Sequence, residues 1–508
     1  MIPWFGEWFS GRNPDHRSLA VSTMLAVVAI GIGLRFWDYF GNCSLNHDDI
    51  CLALNLIGRS AGGLTHTLDF DQAAPLGFLW IERAMVRLFG PGEMALRLLP
   101  FVFGCTSVIL LARLATMLLP PFEAIAVVGF FGFSQALIES SIQVKPYSLD
   151  TLATIVLVSV FLPLTRNSAS RTQSIVAAAA GAFAMWFSFP SLFVLGGIGA
   201  ATATFAIIDR EAVRLRRLLP VFCAWSVSAV GVFWFSVRPG ILNGSLAHHD
   251  FINMFPVHAP AFIVPWMIES VTTLGSISTS VWLAPLAAVA LLFALALMLW
   301  RRDRLSLLLA APIALCLIAS VAQKYPWGPR LLFFATPLTL MITTREIGCF
   351  VRERSPALRI LAVSVAGIAL VYAGLSAFKN VVVNNRGFDD PRGAVAAIAK
   401  AWQPGDWIYA SGPGMPCIIY YSKILHAEHL DFVSSRNPVY VPGQVARIVP
   451  LPKTKGRLWF LYFLPNEKDF DHRILTNFHQ GGSLISRARY KNFIVALWDL
   501  SPEAKPTP

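Results

Sequence analysis

Long apolar runs alternate with short polar segments over the first three quarters of the chain. A helix needs roughly 20 apolar residues to cross about 30 Å of hydrocarbon. A further run at 259–277 contains two prolines and Glu269, a pattern that favours an interfacial or re-entrant helix. Eleven other runs are predicted as membrane spans, at residues 18–40, 94–118, 122–138, 148–165, 174–189, 191–208, 218–237, 279–300, 305–322, 331–344 and 357–378.

The pattern changes at about residue 380, where polar and aromatic residues become mixed. Alternating apolar positions and turn residues then predict strands and helices in alternation. The strands are predicted at 406–411, 457–463 and 492–499, and the helices at 391–402 and 414–423. We therefore predict a polytopic α-helical membrane domain of about eleven transmembrane helices (1–379, with a first extracytoplasmic loop at 41–92) and a small C-terminal extracytoplasmic α/β domain (380–508).

Composition and charge agree with a membrane protein. The 508 residues are 55% hydrophobic and only 14% charged, whereas a soluble protein carries about a quarter charged residues. With a cytoplasmic N-terminus, the predicted inner segments contain 15 Lys and Arg residues and the short outer segments contain 4, as the positive-inside rule requires. The net charge of +12 therefore reflects topology and does not indicate a nucleic-acid partner. We expect a multi-pass protein of the plasma (inner) membrane with its C-terminal domain outside.

The first outer loop contains an acidic pair, Asp48 and Asp49. Adjacent residues point about 100° apart on a helix, so the two carboxylates are poorly placed to face each other as acid and base. One Asp is a candidate catalytic base, and capping of the apolar helix that follows is the alternative for the other. Asp71 and Gln72 follow in the same loop and lead into an amphipathic stretch that ends near Leu88 and is expected to lie along the membrane surface.

Two basic motifs lie at the outer ends of predicted spans. The first contains Gln143, Lys145 and Tyr147, and its lysine is a candidate ligand for a lipid phosphate, with simple snorkelling to the interface as the alternative. The second contains Arg330, whose planar guanidinium suits bidentate phosphate binding. An ordinary interfacial arginine beside aromatic anchors is an equally good interpretation of the second motif.

The loop 238–278 contains Arg238, His249 and Glu269. A His-His-Asp sequence at 248–250 has the chemistry of a divalent-metal site, but adjacent histidines lack the i, i+4 spacing that places both on one helical face. A solvated loop is the favoured interpretation. The centres of the predicted spans carry almost no charge, whereas a coupled ion or proton transporter is expected to place ionisable residues there.

The order and sidedness of these motifs resemble the glycosyltransferase-C superfamily, most closely the family 39 type of protein mannosyltransferases and aminoarabinose transferases. The acidic pair resembles the Asp-Glu pair that opens the family's first outer loop, with Asp49 in place of Glu. Three further segments resemble its Pro-Leu, Arg/Lys-Pro-Tyr and Arg-Tyr-Leu motifs, namely 71–76, 144–149 and 330–332. The chain departs from the family at Gln143, where many members have Glu, and at the position after Arg330, where Tyr is absent.

The resemblance implies an inverting membrane glycosyltransferase, hexosyl or pentosyl and mannosyltransferase-like. It would move a sugar from a polyprenyl-phosphate donor to a hydroxyl group of a lipid, polysaccharide or protein acceptor at the outer membrane face. A phosphate leaves as a stable anion, so one base suffices, unlike the two carboxylates of glycoside hydrolysis. Cofactors are not implied with certainty, and participation of a divalent metal is left open.

The expected roles follow from the resemblance and the residue chemistry. Asp48 is the expected base and Asp49 its support. The donor phosphate is assigned to three cations, Lys145, Arg330 and Arg238, and substrate binding to Tyr147, Gln143, Asp71, Gln72, His249 and Glu269. The alternatives are a flippase or transporter of lipid-linked sugars, an oligosaccharide ligase, and a non-catalytic scaffold.

Overall fold

The computed structural model describes residues 14–165, 170–239, 254–384, 387, 389–410, 414–434, 456–463 and 483–499. These residues form two compact units. Among the described residues, the first unit consists of 14–40, 74–79 and 97–384, and the second consists of 41–73, 80–96 and 387–499 with the gaps given above. The domain boundary predicted at 380 from composition stays a prediction.

The first unit is helical. Its α-helices are Pro14–Phe40, Pro121–Phe133, Gln135–Ser140, Tyr147–Phe161, Arg171–Phe187, Ser191–Ile208, Ala212–Val232, Ile263–Ser278, Ala284–Arg301, Arg304–Val321, Thr336–Arg354 and Pro356–Phe378, together with most of Glu93–Leu118. Short 3₁₀ or π segments extend or precede several of them, at Leu162–Thr165, Phe233–Val237, Pro260–Phe262, Val281–Leu283, Pro329–Ala335 and Lys379–Val383.

Nine helices in the described part of the chain are long and apolar enough to cross a membrane. They are Ser18–Phe40, Glu93–Leu118, Tyr147–Thr165, Ser191–Ile208, Ala212–Val237, Pro260–Ser278, Val281–Arg301, Arg304–Val321 and Pro356–Val383. Large apolar side chains such as Val227 and Ile368 are exposed on this unit, as expected of a surface that faces lipid. The predicted polytopic helical fold class is confirmed.

The spans differ from the sequence prediction in detail. The run at 259–277, predicted as interfacial, lies on Pro260–Ser278 and has the length and composition of a span. Three predicted spans fall instead on Pro121–Phe133 and Arg171–Phe187, which are shorter, and on Thr336–Arg354, which is more polar. The differences fall on helices that are short or carry polar residues, because an apolar run in the sequence does not show where its helix begins and ends.

Gly197 marks a close crossing of two helices. A Cβ atom at this position would lie 2.4 Å from the backbone nitrogen of Pro312, so any side chain here would separate Ser191–Ile208 from Arg304–Val321. Small residues at such crossings allow the van der Waals contact that is a main attraction between helices in lipid.

The second unit combines helices with a five-stranded sheet. Its helices are His47–Gly58, Pro391–Ala401 and Gly414–Ile424, and Leu76–Phe89 and Glu93–Leu118 each contribute residues. The strands are β1 (Trp407–Ala410), β2 (Phe432–Ser434), β3 (Arg457–Phe463), β4 (Ser483–Tyr490) and β5 (Phe493–Asp499). Their order is β2-β1-β3-β5-β4, with β1 parallel to β2 and β3, and β5 antiparallel to β3 and β4.

The three predicted strands correspond to β1, β3 and β5, and both predicted helices of this region are present. The inner strands β3 and β5 bury most of their side chains and therefore give continuous apolar runs. The strands β2 and β4 were not predicted. β2 has only three residues, and β4 is exposed along nearly its whole length, so neither produces an alternating pattern.

Candidate functional site

The acidic pair lies in the first turn of the helix His47–Gly58, which we call the Asp48 helix. Asn46 caps this helix: its Oδ1 accepts the Asp49 backbone N–H at 2.8 Å, and its Nδ2 donates to Asp49 Oδ2 at 2.9 Å. The sequence interpretation in which one Asp caps the helix is therefore wrong, because the cap lies two residues before Asp48. Both carboxylates lie where the helix macrodipole favours negative charge.

The two aspartates have different surroundings. Asp49 is 1% exposed and tied to the cap. Asp48 is half-buried, and its Oδ1 accepts a long hydrogen bond of 3.4 Å from Gln72 Nε2. This geometry agrees with the expectation that neighbouring helical positions separate the two carboxylates. It also brings together two of the predicted site residues, Asp48 and Gln72.

Gln72 follows a backbone turn of unusual conformation. Phe70 and Asp71 both have positive φ, at 61° and 53°, which costs free energy for non-glycine residues and is frequent at functional sites. Gln72 Nε2 also donates to Phe70 O at 3.1 Å. Asp71 itself is exposed, so the strained turn directs Gln72, not Asp71, toward Asp48.

A partly buried polar network that was not predicted from the sequence supports this turn. Arg59 pairs with Asp69 at 2.8 Å. Asn55 accepts the Asp69 backbone N–H at 2.8 Å and donates to Asp69 O at 3.1 Å. No periodicity or motif marks Arg59, Asp69 or Asn55, because they come together only when the loop folds back on the Asp48 helix.

The amphipathic stretch predicted after Gln72 forms the helix Leu76–Phe89, and its position along the membrane surface stays a prediction. Arg83 donates to Leu56 O at 2.7 Å near the end of the Asp48 helix. Glu82 is fully buried, and neither of its carboxylate oxygens has a hydrogen-bond partner among the described residues. Burial without a partner raises the pKa of Glu82 well above its ordinary value.

In the first unit, Lys145 and Gln143 lie in the turn before the helix Tyr147–Phe161. Lys145 is 7% exposed, so it does not simply extend to the aqueous interface, and the snorkelling alternative loses support. Its backbone N–H donates to Gln143 O at 2.8 Å. Gln143 is 8% exposed, and its side-chain oxygen has no hydrogen-bond partner in the described part of the chain.

The two basic motifs lie side by side in the first unit. The ring of Tyr147 meets that of Phe333 edge to face at 5.7 Å, which places the start of one motif against the segment Pro329–Ala335 that contains the other. Arg330 is exposed at the beginning of this segment. It interacts electrostatically with Glu139, a carboxylate that the sequence analysis did not assign to the site.

Two other predicted site residues, Arg238 and Glu269, also lie in the first unit, and the helix that carries Glu269 packs against the second basic motif through Trp266 and Trp327 at 6.0 Å. The guanidinium of Arg238 stacks over the Trp234 ring at 4.2 Å, and Glu269 is exposed on Ile263–Ser278. His249 lies outside the described residues. Among the residues that the structure does describe, no three His, Cys, Asp or Glu side chains are arranged to hold a metal ion.

The fold is similar to that of solved membrane transferases. ArnT from Cupriavidus metallidurans in the apo state matches with a TM-score of 0.57 at 13% identity, over 94% of this chain and 98% of that chain. The same protein bound to undecaprenyl phosphate matches with a TM-score of 0.53 at 13% identity, over 96% and 98%. The apo oligosaccharyltransferase from Archaeoglobus fulgidus has a TM-score of 0.48 at 10% identity, over 92% and 69%.

Comparison at the level of sequence does not identify a family for this chain. No protein-family model matches the chain, and no curated protein matches it. The similarity to ArnT, a family 39-type aminoarabinose transferase, nevertheless extends over nearly the whole of both chains. It confirms at the level of the fold the resemblance that the order of the sequence motifs indicated. The chain is a multi-pass membrane protein with the glycosyltransferase-C fold.

Proposed function

We propose that this protein is an integral membrane glycosyltransferase that moves a sugar from a polyprenyl-phosphate donor to a hydroxyl acceptor. The observation that carries the proposal is the fold shared with ArnT, one of whose structures contains undecaprenyl phosphate, over nearly the full length of both chains. The acceptor is a lipid, a polysaccharide or a protein. The sugar is a hexose or pentose, as in the mannosyltransferase-like enzymes that the motifs resemble.

Asp48 is the proposed general base. It removes the proton from the acceptor hydroxyl while the acceptor oxygen forms a bond to the anomeric carbon and the bond from that carbon to the phosphate oxygen breaks. The electron pair leaves with the polyprenyl phosphate, and direct displacement inverts the anomeric centre. The partial exposure of Asp48 supports this role, because a base must reach its substrate. Asp49, tied to Asn46, is the proposed support for its geometry.

Lys145 and Arg330 are the proposed ligands of the donor phosphate, and Arg238 is a third candidate. Fixed cations stabilise the charge that builds on a departing phosphate, most strongly where water is scarce. The burial of Lys145 supports its part in this role. Tyr147, Gln143, Asp71, Gln72, His249 and Glu269 remain the proposed substrate-binding residues. We propose a cytoplasmic N-terminus and an outer C-terminal domain, since the inner segments are richer in Lys and Arg.

Reconstituted protein with a radiolabelled polyprenyl-phosphate sugar tests the proposal. Transfer is expected to release polyprenyl phosphate, and Asp48→Asn is expected to abolish release while the protein stays folded and inserted. Glu428→Gln, a substitution of an exposed carboxylate in the second unit, is the matched control and should retain full activity. Wild-type turnover by Asp48→Asn would remove Asp48 as the base.

The same assay separates the alternatives. A flippase would move the labelled lipid across the bilayer and leave it intact, and a scaffold would be indifferent to substitution of Asp48, Lys145 and Arg330. An oligosaccharide ligase would use a lipid-linked oligosaccharide and not the monosaccharide donor. The nearly charge-free centres of the predicted spans and the sheet-containing C-terminal region favour the transferase.

A further inference from the structure

The segment 42–46, which leads directly into the Asp48 helix, is held by side chains that follow more than 340 residues later in the chain. Arg392 Nη2 donates to Asn42 O at 2.8 Å, and Ser44 Oγ donates to Asp390 Oδ1 at 2.7 Å. The Leu45 backbone N–H donates to the hydroxyl of Tyr421 at 2.9 Å. Three of the five residues before the helix are therefore anchored to the C-terminal part of the second unit.

Glu93 joins two of these anchors. Its Oε1 accepts the hydroxyl hydrogen of Tyr421, and its Oε2 accepts from Arg392 Nη1. Glu93 is 6% exposed and Tyr421 is fully buried. The carboxylate lies in the first turn of Glu93–Leu118, where the helix macrodipole favours its charge.

The Tyr421 hydroxyl acts as a donor to Glu93 and as an acceptor from Leu45. Burial and the neighbouring Glu93 carboxylate raise the pKa of Tyr421 well above its ordinary value, so its hydroxyl keeps its proton and donates it to Glu93. A lone pair on the same oxygen then accepts the Leu45 N–H. Removing this hydroxyl would leave a buried backbone N–H of Leu45 without its partner, which costs about 1–3 kcal/mol.

We propose that Tyr421, Glu93 and Arg392 are positioning residues that set the start of the Asp48 helix and so the place of the Asp48 carboxylate during transfer. The inference rests on the proposed function and assigns the C-terminal region a part in catalysis. Leu45 lies only three residues before Asp48, with Asn46 and its cap between them. A shift of the segment 42–46 would therefore carry the helix start with it.

The experiment compares two adjacent tyrosines. Tyr421→Phe removes the hydroxyl that holds Leu45, whereas Tyr420→Phe removes the hydroxyl of a neighbouring tyrosine that is only 1% exposed and donates to Pro91 O at 2.9 Å. A misplacement of about 1 Å costs up to 10²-fold in rate. We expect Tyr421→Phe to lower kcat by about 10- to 100-fold with little change in the KM for the donor, and Tyr420→Phe to retain kcat per folded molecule.

Hydrogen exchange supplies a measurement that does not depend on activity. The Leu45 amide should exchange faster in Tyr421→Phe than in the wild type and at the wild-type rate in Tyr420→Phe. Arg392→Lys is the second variant, should Tyr421→Phe fail to fold. Lysine keeps a cation beside Glu93 but lacks the second N–H group that reaches Asn42 O. We expect this variant to have a lower kcat and an unchanged KM for the donor.

The outcomes are distinguishable from those of the proposed function. Normal kcat in Tyr421→Phe or, where that variant does not fold, in Arg392→Lys overturns the positioning role and leaves the transferase in place, provided that Asp48→Asn is inactive. Equal losses per folded molecule in the two tyrosine variants overturn it as well, because they indicate a general packing defect. Full turnover by Asp48→Asn overturns the base assignment and this inference together.

Discussion

The side chain of Asn46 makes two hydrogen bonds to Asp49, one to its backbone N–H at 2.8 Å and one to its Oδ2 at 2.9 Å. The first bond satisfies an N–H group that the helix itself leaves without a partner. The second fixes the Asp49 carboxylate against the start of the helix. Asn46 therefore caps the Asp48 helix and also holds the carboxylate of the buried Asp49 at the helix start.

Asn46→Ala should destabilise the second unit by about 1 kcal/mol, the usual cost of losing a helix cap. Asn46→Ser is the matched variant, because serine also caps the Asp49 N–H but cannot reproduce the amide donor to Asp49 Oδ2. Serine should restore most of the stability lost in the alanine variant. Thermal unfolding in detergent measures both, and an unchanged Tm for Asn46→Ala would contradict the capping role.

Asp49→Asn tests whether Asp48 is the base and Asp49 only supports its geometry. The variant keeps the shape of the side chain and an oxygen that can accept from Asn46, but it loses the negative charge. We expect kcat to fall by about tenfold, equivalent to about 1.4 kcal/mol, and thus less than in Asp48→Asn. A larger loss in Asp49→Asn than in Asp48→Asn, measured as polyprenyl phosphate released per folded molecule, would reverse the two assignments.

Lys145→Met should lower kcat/KM by about 10²-fold, the scale of losing one fixed donor to a developing anion. Lys145→Arg keeps a positive charge and should retain part of the activity. Lys324→Met is the control, since Lys324 is an exposed lysine in the same unit. Initial rates at varied donor concentration separate these cases, and equal effects of the two Met variants would argue against a specific phosphate contact at Lys145.

Glu82 should make stability depend on pH. Its pKa is raised in the folded state by burial, whereas an unfolded chain has the ordinary value of about 4.3. The folded state therefore binds more protons over the interval between these values, and stability falls as pH rises from the unfolded pKa through the folded pKa. The wild-type Tm should thus be lower at pH 8 than at pH 5.

Glu82→Gln removes this ionisation and should flatten the decline of Tm between pH 5 and pH 8. Glu428→Gln is again the control, because an exposed carboxylate has no comparable desolvation. It should keep the wild-type dependence. A Glu82→Gln variant with an undiminished decline would assign the pH dependence to another group.

The membrane spans and the strands of the C-terminal region could be predicted with useful accuracy, for different physical reasons. A span such as Ser18–Phe40 is a local property, since any helix in lipid must be long and apolar. The inner strands β3 and β5 are also local signals, because burial on both faces leaves continuous apolar runs. The exposed β4 carries no such signal, and it was missed.

The candidate site was only partly predictable. The acidic pair and the motif around Lys145 stand out in the sequence because polar residues beside apolar spans are few. The cap at Asn46 carried a weak local signal. The buried Glu82 carried none, because a Glu in an amphipathic helix is ordinarily assigned to the polar face.

The sequence by itself determined the helical membrane class, the position of the acidic pair after the first span, and most elements of the C-terminal region. These features depend on length, hydropathy and periodicity, which are properties of residues close together in the sequence. Only the tertiary structure decided that Asp49 is buried while Asp48 is half-exposed, and that Tyr421 holds Leu45 across 376 positions of the chain. Such contacts form only when distant segments pack together, so no local pattern encodes them.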